Sequence, residues 1–435
     1  MGESDLKIRL TLLYTNNSWP VYWCLRKDPV DKAPFILLLL SGLLVAALFL
    51  SRLSLRFRTP DILWFMALGL LLGPSVLGIL SGESLMGAGH VFLLGAVFLV
   101  LYEAGLRTRI DRVRSHGIAI ALLVTLGLLL TSILLAVAVH YLFGLTFYEG
   151  LLLGAILSTT DPASILPILR TLPLPPRVSE TLVAESALGD VTGSLMTLFI
   201  LGFSRPDHSF TRSLLDFSVS VLWGGLAGVM IGGLVIVLAT HRKVGLFRDN
   251  LPVLILSALL AGFGLSLLVH GQALLCAFVL GMVLGQPREA GKKGTTPFSG
   301  EAFRTVNNLL AYLASFFIFL VMGTLIPGSS GGVSWGRLLL LVLLLVLVVR
   351  PLVVFSLLPF DRRSRFSVRE MGFMSVVRET GIMAGALLGL AHDALPAQAS
   401  IIVISVVVGT IAIGALGSAP MARILGFVES PETRP

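Results

Sequence analysis

Long apolar runs separated by short polar segments recur along nearly the whole chain. Many of them approach or exceed the ~18 residues that identify a membrane-spanning helix. The runs are continuous, as at residues 338–349, and do not alternate between polar and apolar residues, which favours helices over a closed β-barrel. The pattern predicts thirteen spans, near residues 35–51, 61–80, 91–106, 117–140, 150–169, 180–203, 215–240, 252–269, 272–286, 306–326, 337–358, 370–391 and 398–420.

The connections between the predicted spans are short. Only His270-Gly271 separates the eighth span from the ninth, which predicts a tight turn. We therefore expect an all-α membrane protein with about thirteen transmembrane helices. Its predicted parts are an N-terminal extracytoplasmic segment of unknown role at residues 1–34, a transmembrane domain at 35–420 and a short cytoplasmic tail at 421–435.

The composition agrees with a chain that lies in lipid. Hydrophobic residues make up 55% of the chain and charged residues 13%, and the mean hydropathy is +0.93. A soluble protein has about 25% charged residues, so the lipid bilayer is the expected surrounding. The formal net charge of +8 comes from basic residues in short loops, which argues against a nucleic-acid partner. Two cysteines, Cys24 and Cys276, are too few for a disulfide framework.

The basic residues predict an orientation in the membrane. One set of alternate loops, taken with the C-terminal tail, holds 22 Lys and Arg residues, whereas the opposite set holds three. The positive-inside rule places the first set in the cytoplasm, the N-terminus outside and the C-terminus inside. Residues 1–34 fit this assignment poorly because they hold five basic residues, which four acidic residues only partly offset. The charge difference between the other loops is larger and decides the orientation. We expect a multi-pass protein of the inner (cell) membrane.

Several ionisable residues lie inside the predicted spans. A charge at the bilayer centre costs about 2.5–3.5 kcal/mol on insertion scales, so such residues indicate a functional site. They are Glu103 in the third span, Asp161 in the fifth, Glu185 and Asp190 in the sixth, Arg350 in the eleventh, and Arg378 and Glu379 in the twelfth.

Two of these spans also contain helix-breaking residues. Pro162 removes a backbone donor from the fifth span, and Thr380-Gly381 loosens the twelfth. Broken helices are tolerated at membrane depth where they line a buried cavity, and paired breaks in inverted halves mark ion sites in transporters. The fifth and twelfth spans are seven apart, so they run in opposite directions, as inverted repeats require.

The spacing on the sixth span divides its polar residues between two sides. Glu185 and Asp190 are five residues apart, which turns a helix about 140° past one full turn. Ser186 and Asp190 are four apart and share a face. We expect Ser186 and Asp190 to face an ion cavity. Glu185 should face a buried cation, for which Arg350 is the best candidate.

A purely structural role also fits some of these charges. Glu103 is close to the basic loop that starts at Arg107, which suits a structural charge. Arg378 and Glu379 can lie near the membrane edge and pair locally or with neighbours. Asp161 can cap the half-helix that follows it, since an acid suits a helix N-terminus. Asp190 lies in mid-helix with no basic residue near it in sequence, which favours function.

The motifs resemble those of the monovalent cation/proton antiporter superfamily, and most of all its sodium/proton exchanger branch, over about residues 35–420. Thr160-Asp161-Pro162 is similar to the Thr-Asp-Pro of the family's unwound crossing helix. Glu185-Ser186 followed by Gly189-Asp190 is similar to its Glu-Ser-x-x-Asn-Asp motif. The other matching segments are residues 69–78, 103–106 and 270–285, and the buried Arg350-Pro351.

The resemblance implies a fold of inverted repeats with a six-helix ion-carrying core, a dimerisation domain and crossing helices at the fifth and twelfth spans. It implies that the Thr160 carbonyl, Asp161, Ser186 and Asp190 bind the ion, with the monovalent cation at Asp190 and Asp161. Glu185 would be held by Arg350 and reach the ion through water. The implied partners are Na⁺, or K⁺ or Li⁺, together with protons and a second copy of the chain. No cofactor is implied.

One position departs from the family pattern. Gly189 stands where electroneutral members have Asn and electrogenic members have Asp. The missing carboxamide leaves room beside Asp190, which leaves ion selectivity open.

The residues together suggest antiport at one buried carboxylate. Burial disfavours the ionised acid and a bound cation favours it, so a proton and a cation compete. We expect electroneutral 1:1 exchange, with Na⁺/H⁺ favoured and K⁺/H⁺ as the alternative. A channel or a non-transporting sensor on the same fold are further alternatives. The sequence has no metal motif, nucleophile elbow or phosphate loop, so we do not expect an enzyme.

Overall fold

In the computed structural model of the protein, residues 29–57, 61–80, 89–110, 116–160, 172, 174–202, 210–240, 250–286, 298, 300–326 and 333–427 are described. Within these ranges the regular structure is all helical, as the sequence predicts. The chain divides into two compact units, Met1–Trp64 and Phe65–Pro435, and the second contains the candidate site.

Each predicted span coincides at least in part with a helix. We label the α-helices α1 to α14 in chain order and count α4 and α11 as single helices that contain a π-helical segment. Their bounds are α1 Pro29–Phe57, α2 Asp61–Leu72, α3 Gly89–Arg107, α4 Gly117–Phe143, α5 Phe147–Ser158, α6 Pro176–Gly202, α7 Phe210–Thr240, α8 Leu251–Leu268, α9 Ala273–Gly285, α10 Glu301–Thr324, α11 Trp335–Leu344 continued through Leu345–Val349 and Arg350–Leu357, α12 Val368–Val376, α13 Ile382–Leu390 and α14 Gln398–Ile424.

Among the described residues, eight helices are long and apolar enough to cross a membrane. Three shorter apolar helices, α2, α5 and α9, accompany them. The protein is therefore an all-α, multi-pass membrane protein, and the total of thirteen crossings stays a prediction.

The second predicted span is shorter than expected. A helix over residues 61–80 was the expectation, but α2 ends at Leu72 and turns occupy residues 73–80. Pro74 gives the reason, because a proline disfavours helical backbone in the residue before it. The turn closes through the backbone bond from Leu80 to Leu72, 2.8 Å long, and Ser75 donates to the carbonyl of Ile326 after α10.

Helices α3 and α9 pack with their backbones in close approach. A Cβ atom on Gly105 would collide with the carbonyl of Phe278, and one on Gly281 would collide with the carbonyl of Tyr102. Small residues at such contacts are typical of membrane helices. Helix α9 follows the predicted tight turn after α8, where His270 has a φ of 51°.

Both π-helical segments lie close to the site. In α11 the segment Leu345–Val349 directly precedes Arg350 and Pro351. Proline lacks a backbone N–H and its ring clashes with the carbonyl four residues earlier, so a wider turn at this place relieves the clash. In α4 the segment is Leu123–Gly127, and Gly127 approaches Val353 of α11. The two widened turns therefore belong to helices that pack together beside Arg350.

The fifth and twelfth spans are both interrupted. Helix α5 ends at Ser158, and Thr159 continues with extended backbone. The twelfth span is split into α12 and α13 by the non-helical residues 377–381. Helix α5 packs against α13 and α14, so the two interruptions meet. Asp161 and Pro162, on which the prediction of a break in the fifth span rested, lie outside the described residues.

Candidate functional site

The predicted motif of the sixth span lies on α6. Glu185, Ser186, Gly189 and Asp190 are all buried, and Asp190 is only 3% exposed. Helix α6 packs against α3, α5, α9, α13 and the π-helical segment of α4. The acidic motif is therefore enclosed by helices from both halves of the chain.

Glu185 and Arg350 form the predicted pair. Arg350 Nη1 lies 2.5 Å from Glu185 Oε1, and Nη2 lies 2.8 Å from Oε2, while Nε donates to the carbonyl of Met374 at 3.3 Å. Two parallel bonds to one carboxylate are the strong geometry for this pair of groups. Burying either charge alone would be costly, so the pair fixes α6 to α11, and Met374 adds α12.

Arg378 is buried at the break in the twelfth span. It is 4% exposed, and its Nη2 donates to the carbonyl oxygen of Ser158 at 2.5 Å. Ser158 is the last residue of α5, where carbonyls lack helical partners and carry partial negative charge. Thr380 adds a bond from its hydroxyl to the carbonyl of Leu157 at 3.4 Å. Arg378 therefore contacts a neighbouring helix, as one of its expected structural roles allowed, and its position relative to the membrane edge stays a prediction.

Glu379 is also buried, at 1% exposure, and packs against α14. A Cβ on Gly414 would lie 2.7 Å from Cγ of Glu379 and 2.8 Å from Cδ, so the glycine leaves the space that this side chain occupies. The backbone N–H of Thr380 donates to Oγ1 of Thr410 at 3.1 Å. These contacts hold α14 against the break.

Gly189 touches the end of the other interrupted span. A Cβ placed on Gly189 would lie 3.4 Å from Oγ1 of Thr160 and 4.0 Å from Cδ1 of Leu128. Both separations are ordinary van der Waals contacts. The α6 motif therefore abuts the residues that follow α5, and a side chain at position 189 would point at Thr160.

A small polar cavity lies at this junction. The space open to the centre of a water molecule is about 10 Å³, which is close to the room that one water requires. Its wall includes two arginines and one glutamate. The lining residues are Leu123, Val124, Gly127, Leu128, Thr131, Ser158, Thr160, Glu185, Gly189, Arg350 and Arg378.

Two residues of α6, Glu185 and Gly189, line this cavity, and they are four residues apart. The pair of Glu185 and Arg350 therefore forms part of its wall. That Ser186 and Asp190 face an ion cavity stays a prediction. Ser186 and Asp190 are buried next to these residues along α6. Asp161, the other predicted ion-binding acid, lies outside the described residues.

Glu103 fits its structural interpretation. Its carboxylate forms an ion pair with the guanidinium of Arg107, one turn further along α3. Its side chain is 20% exposed, so it differs from the buried acids Glu185 and Asp190.

A second cluster of charges was not predicted from the sequence. Arg177 of α6 binds Glu370 of α12 through two bonds, 2.7 and 2.8 Å long. Glu370 also closes a capping box with Ser367 at the start of α12. The Ser-x-x-Glu spacing before an apolar run was a readable signal for that cap, although not for Arg177.

Interrupted helices that meet beside buried charges are typical of secondary transporters. The family model described as "Sodium/hydrogen exchanger, transmembrane" matches residues 42–423, so the chain belongs to the sodium/hydrogen exchanger family. This confirms the resemblance that the motifs indicated.

Two curated relatives are similar to this chain over most of its length. The chain is 28% identical over 347 residues to the K(+)/H(+) antiporter NhaP of Alkalimonas amylolytica, and 30% identical over 346 residues to the K(+)/H(+) antiporter NhaP2 of Shewanella sp. (strain MR-4). Each match covers 78% of this chain and 58% of the relative, so the chain spans little more than half of the relatives' length.

The fold is similar to that of the sodium proton antiporter MjNhaP1 from Methanocaldococcus jannaschii. The TM-score is 0.66 at 23% identity, and the match covers 90% of this chain and 96% of that one.

Proposed function

We propose that the protein exchanges a monovalent cation for protons across the membrane, at the acidic motif of α6. One observation carries the proposal. Asp190 is buried on the same helix as Glu185, which is matched by Arg350, and the residue before Asp190 abuts the interrupted end of α5. Arg350 holds Glu185 in this arrangement, and Asp190 is the buried acid of α6 that we propose binds the transported ions.

The mechanism follows from the chemistry of a carboxylate removed from water. The ionised form is costly there unless a cation accompanies it, so the acid holds either a proton or a cation. The proposed ligands are the Thr160 carbonyl, Asp161, Ser186 and Asp190, with Glu185 reaching the ion through water. The loaded core is neutral and changes sides, whereas the empty, charged core does not. Exchange then needs no ATP, no cofactor and no chemical conversion of a substrate.

The proposed stoichiometry is one proton for one cation. Arg350 offsets the charge of Glu185, and Gly189 supplies no second acid. Transport would therefore be electroneutral.

Two cations remain candidates for the exchange. The motif of α6 favours Na⁺, because its pattern is that of the sodium/proton exchanger branch. The relatives at 28% and 30% identity are K(+)/H(+) antiporters, which supports K⁺ as the second candidate.

The setting of the exchange is also part of the proposal. We place the protein in the inner membrane with its N-terminus outside and its C-terminus in the cytoplasm, on the distribution of Lys and Arg. A homodimer, with a dimerisation domain beside a moving core, is the proposed assembly. The proposed boundaries are 1–34, 35–420 and 421–435.

Transport by purified protein in liposomes tests the proposal. A proton gradient is imposed and followed with a pH-sensitive dye while Na⁺, K⁺ or Li⁺ is added outside. We expect at least one of these ions to dissipate the gradient, with a rate that does not respond to an imposed voltage. Cation flux without proton movement would indicate a channel, and no response to any cation would support a sensor.

A further inference from the structure

The segment between α11 and α12 presents a cluster of exposed arginines. Arg362, Arg363 and Arg365 lie in the loop, and Arg369 lies in the first turn of α12. All four are exposed. The loop begins one residue after the candidate membrane span Trp335–Phe360, so it lies at the membrane surface.

The loop has a defined shape. The carboxylate of Asp361 accepts bonds from the backbone N–H groups of Arg363, at 3.0 Å, and Ser364, at 3.2 Å. Arg365 has a φ of 44°, a left-handed conformation that a residue other than glycine rarely adopts. Its N–H donates to the carbonyl of Asp361 at 3.4 Å. A closed turn therefore holds the backbone that carries the arginines.

The acids of this segment point inward. Asp361 and Glu370 are the acidic residues between positions 358 and 370, and both are buried. Asp361 holds the turn, and Glu370 binds Arg177 and Ser367. Within the described parts of the chain, no ion pair joins the four exposed arginines to an acid. Among the described residues, the segment thus offers positive charge that no acid neutralises.

Apolar side chains bracket these charges. Phe360 is 72% exposed at the end of α11, and Val368 is 71% exposed at the start of α12. The end of α14 lies alongside, where Phe427 packs on Phe373 with ring centroids 5.8 Å apart. The end of α14 also contributes two exposed residues, Arg423 and Ile424. Exposed cationic and apolar residues therefore occur together at this end of α11, α12 and α14.

We propose that this surface binds the headgroup of an anionic phospholipid. Guanidinium groups match phosphate oxygens with two parallel bonds. A free phosphate would use the arginines alone, whereas a lipid also uses Phe360 and Val368, whose side chains can enter the acyl boundary. The positive-inside rule explains basic loops in general, but it does not require buried acids, a closed turn or exposed apolar residues on either side.

The expected strength can be estimated from the charges. Each arginine close to an anionic membrane surface contributes a factor of about five in affinity. Removing three of them should weaken binding about a hundredfold. The inference does not depend on the transported ion, because binding is measurable without transport.

Thermal unfolding of the full chain in a neutral detergent tests the proposal. The probes are phosphatidylglycerol, phosphatidylcholine and inorganic phosphate. The variant carries Arg362→Gln, Arg363→Gln and Arg365→Gln, and the matched control carries Arg52→Gln, Arg56→Gln and Arg304→Gln at other exposed arginines. We expect phosphatidylglycerol to raise the Tm of the wild type and the control, and to need about a hundredfold higher concentration in the variant.

A second variant, Phe360→Ser with Val368→Ser, should weaken the response to phosphatidylglycerol as well. Equal shifts in the arginine variant and the control would overturn the proposal. It would also be overturned if inorganic phosphate raised the Tm as much as the lipid does, because the ligand would then be a free anion. Loss of transport with these lipid shifts intact would contradict only the proposed function.

Discussion

The guanidinium of Arg378 hydrogen-bonds to the carbonyl oxygen of Ser158, which is the last residue of α5. Arg378 lies in the break of the twelfth span, so the positively charged side chain that binds the end of α5 comes from the break in another helix. A helix end buried without partners would leave carbonyls unsatisfied in a place that water does not reach freely. The arrangement therefore lets both interruptions persist inside the membrane.

Replacing Arg378 should destabilise the protein through the end of α5. In Arg378→Gln we expect a loss of about 1.5–3 kcal/mol, the range for a hydrogen bond to a charged group. Thermal unfolding in detergent measures it. Arg369→Gln, at an exposed site in the first turn of α12, is the control and should change stability by no more than about 0.5 kcal/mol. Similar losses in both variants would contradict this role of Arg378.

The pair of Glu185 and Arg350 should behave as a coupled unit. Arg350→Met leaves a buried carboxylate without its partner, which costs about 3–5 kcal/mol. Adding Glu185→Gln removes the stranded charge, so we expect the double variant to recover part of the lost Tm. A double-mutant cycle of thermal unfolding checks this. If the loss of stability in the double variant equalled the sum of the losses in the two single variants, the two residues would not be coupled.

Much of the fold was predictable because lipid imposes a simple rule on the chain. Apolar runs indicated where helices lie, and the partner of Glu185 was predictable because a buried charge requires an opposite one. The acceptor for Arg378 was not predictable, since a main-chain carbonyl has no signature in sequence. The bond between Arg177 and Glu370 joins residues 193 apart, and only the packed structure brings them together. That Glu185 and Gly189 line the small cavity was not predictable, because a helical repeat indicates which residues share a face but not what that face contacts.

Asp190 should be essential for exchange. The amide in Asp190→Asn has nearly the shape of the acid but neither releases a proton nor balances a cation, so we expect transport in liposomes to fall to background. Glu103→Gln is the matched control, because that acid pairs with Arg107 at the edge of α3, and it should keep its transport activity. Normal transport by Asp190→Asn would remove this residue from the mechanism.

Position 189 allows a direct test of local space. A Cβ at Gly189 meets atoms at 3.4 and 4.0 Å, so Gly189→Ala fits and should stabilise α6 by about 0.5–1 kcal/mol through its helix propensity. Gly193→Ala is the control, because a Cβ there would lie 2.5 Å from Cγ2 of Thr159 and should destabilise.

The larger Gly189→Asn places a carboxamide toward Thr160 and fills the cavity. We expect this variant to change the ratio of Na⁺ to K⁺ transport, since it reduces the room beside the ion-binding motif. Liposome assays with each cation measure the ratio. An unchanged ratio would show that the space at position 189 does not contribute to selectivity.

Asp361 should make stability depend on pH in the acidic range. Burial alone would raise the pKa of its carboxyl, but hydrogen bonds from the Ser364 side chain and from backbone N–H groups, including that of Arg363, together lower the pKa below its ordinary value of 3.8. A lowered pKa in the folded state gives stability that is present above the ordinary value and is lost as the pH falls through the folded-state pKa.

Asp361→Asn should therefore lower the Tm at pH 7, and the difference from the wild type should shrink as the pH falls below 3.8. Asp393→Asn, in the short turn before α14, serves as the control. A difference between Asp361→Asn and the wild type that stays constant down to the lowest pH would mean that the ionised carboxylate does not hold the turn.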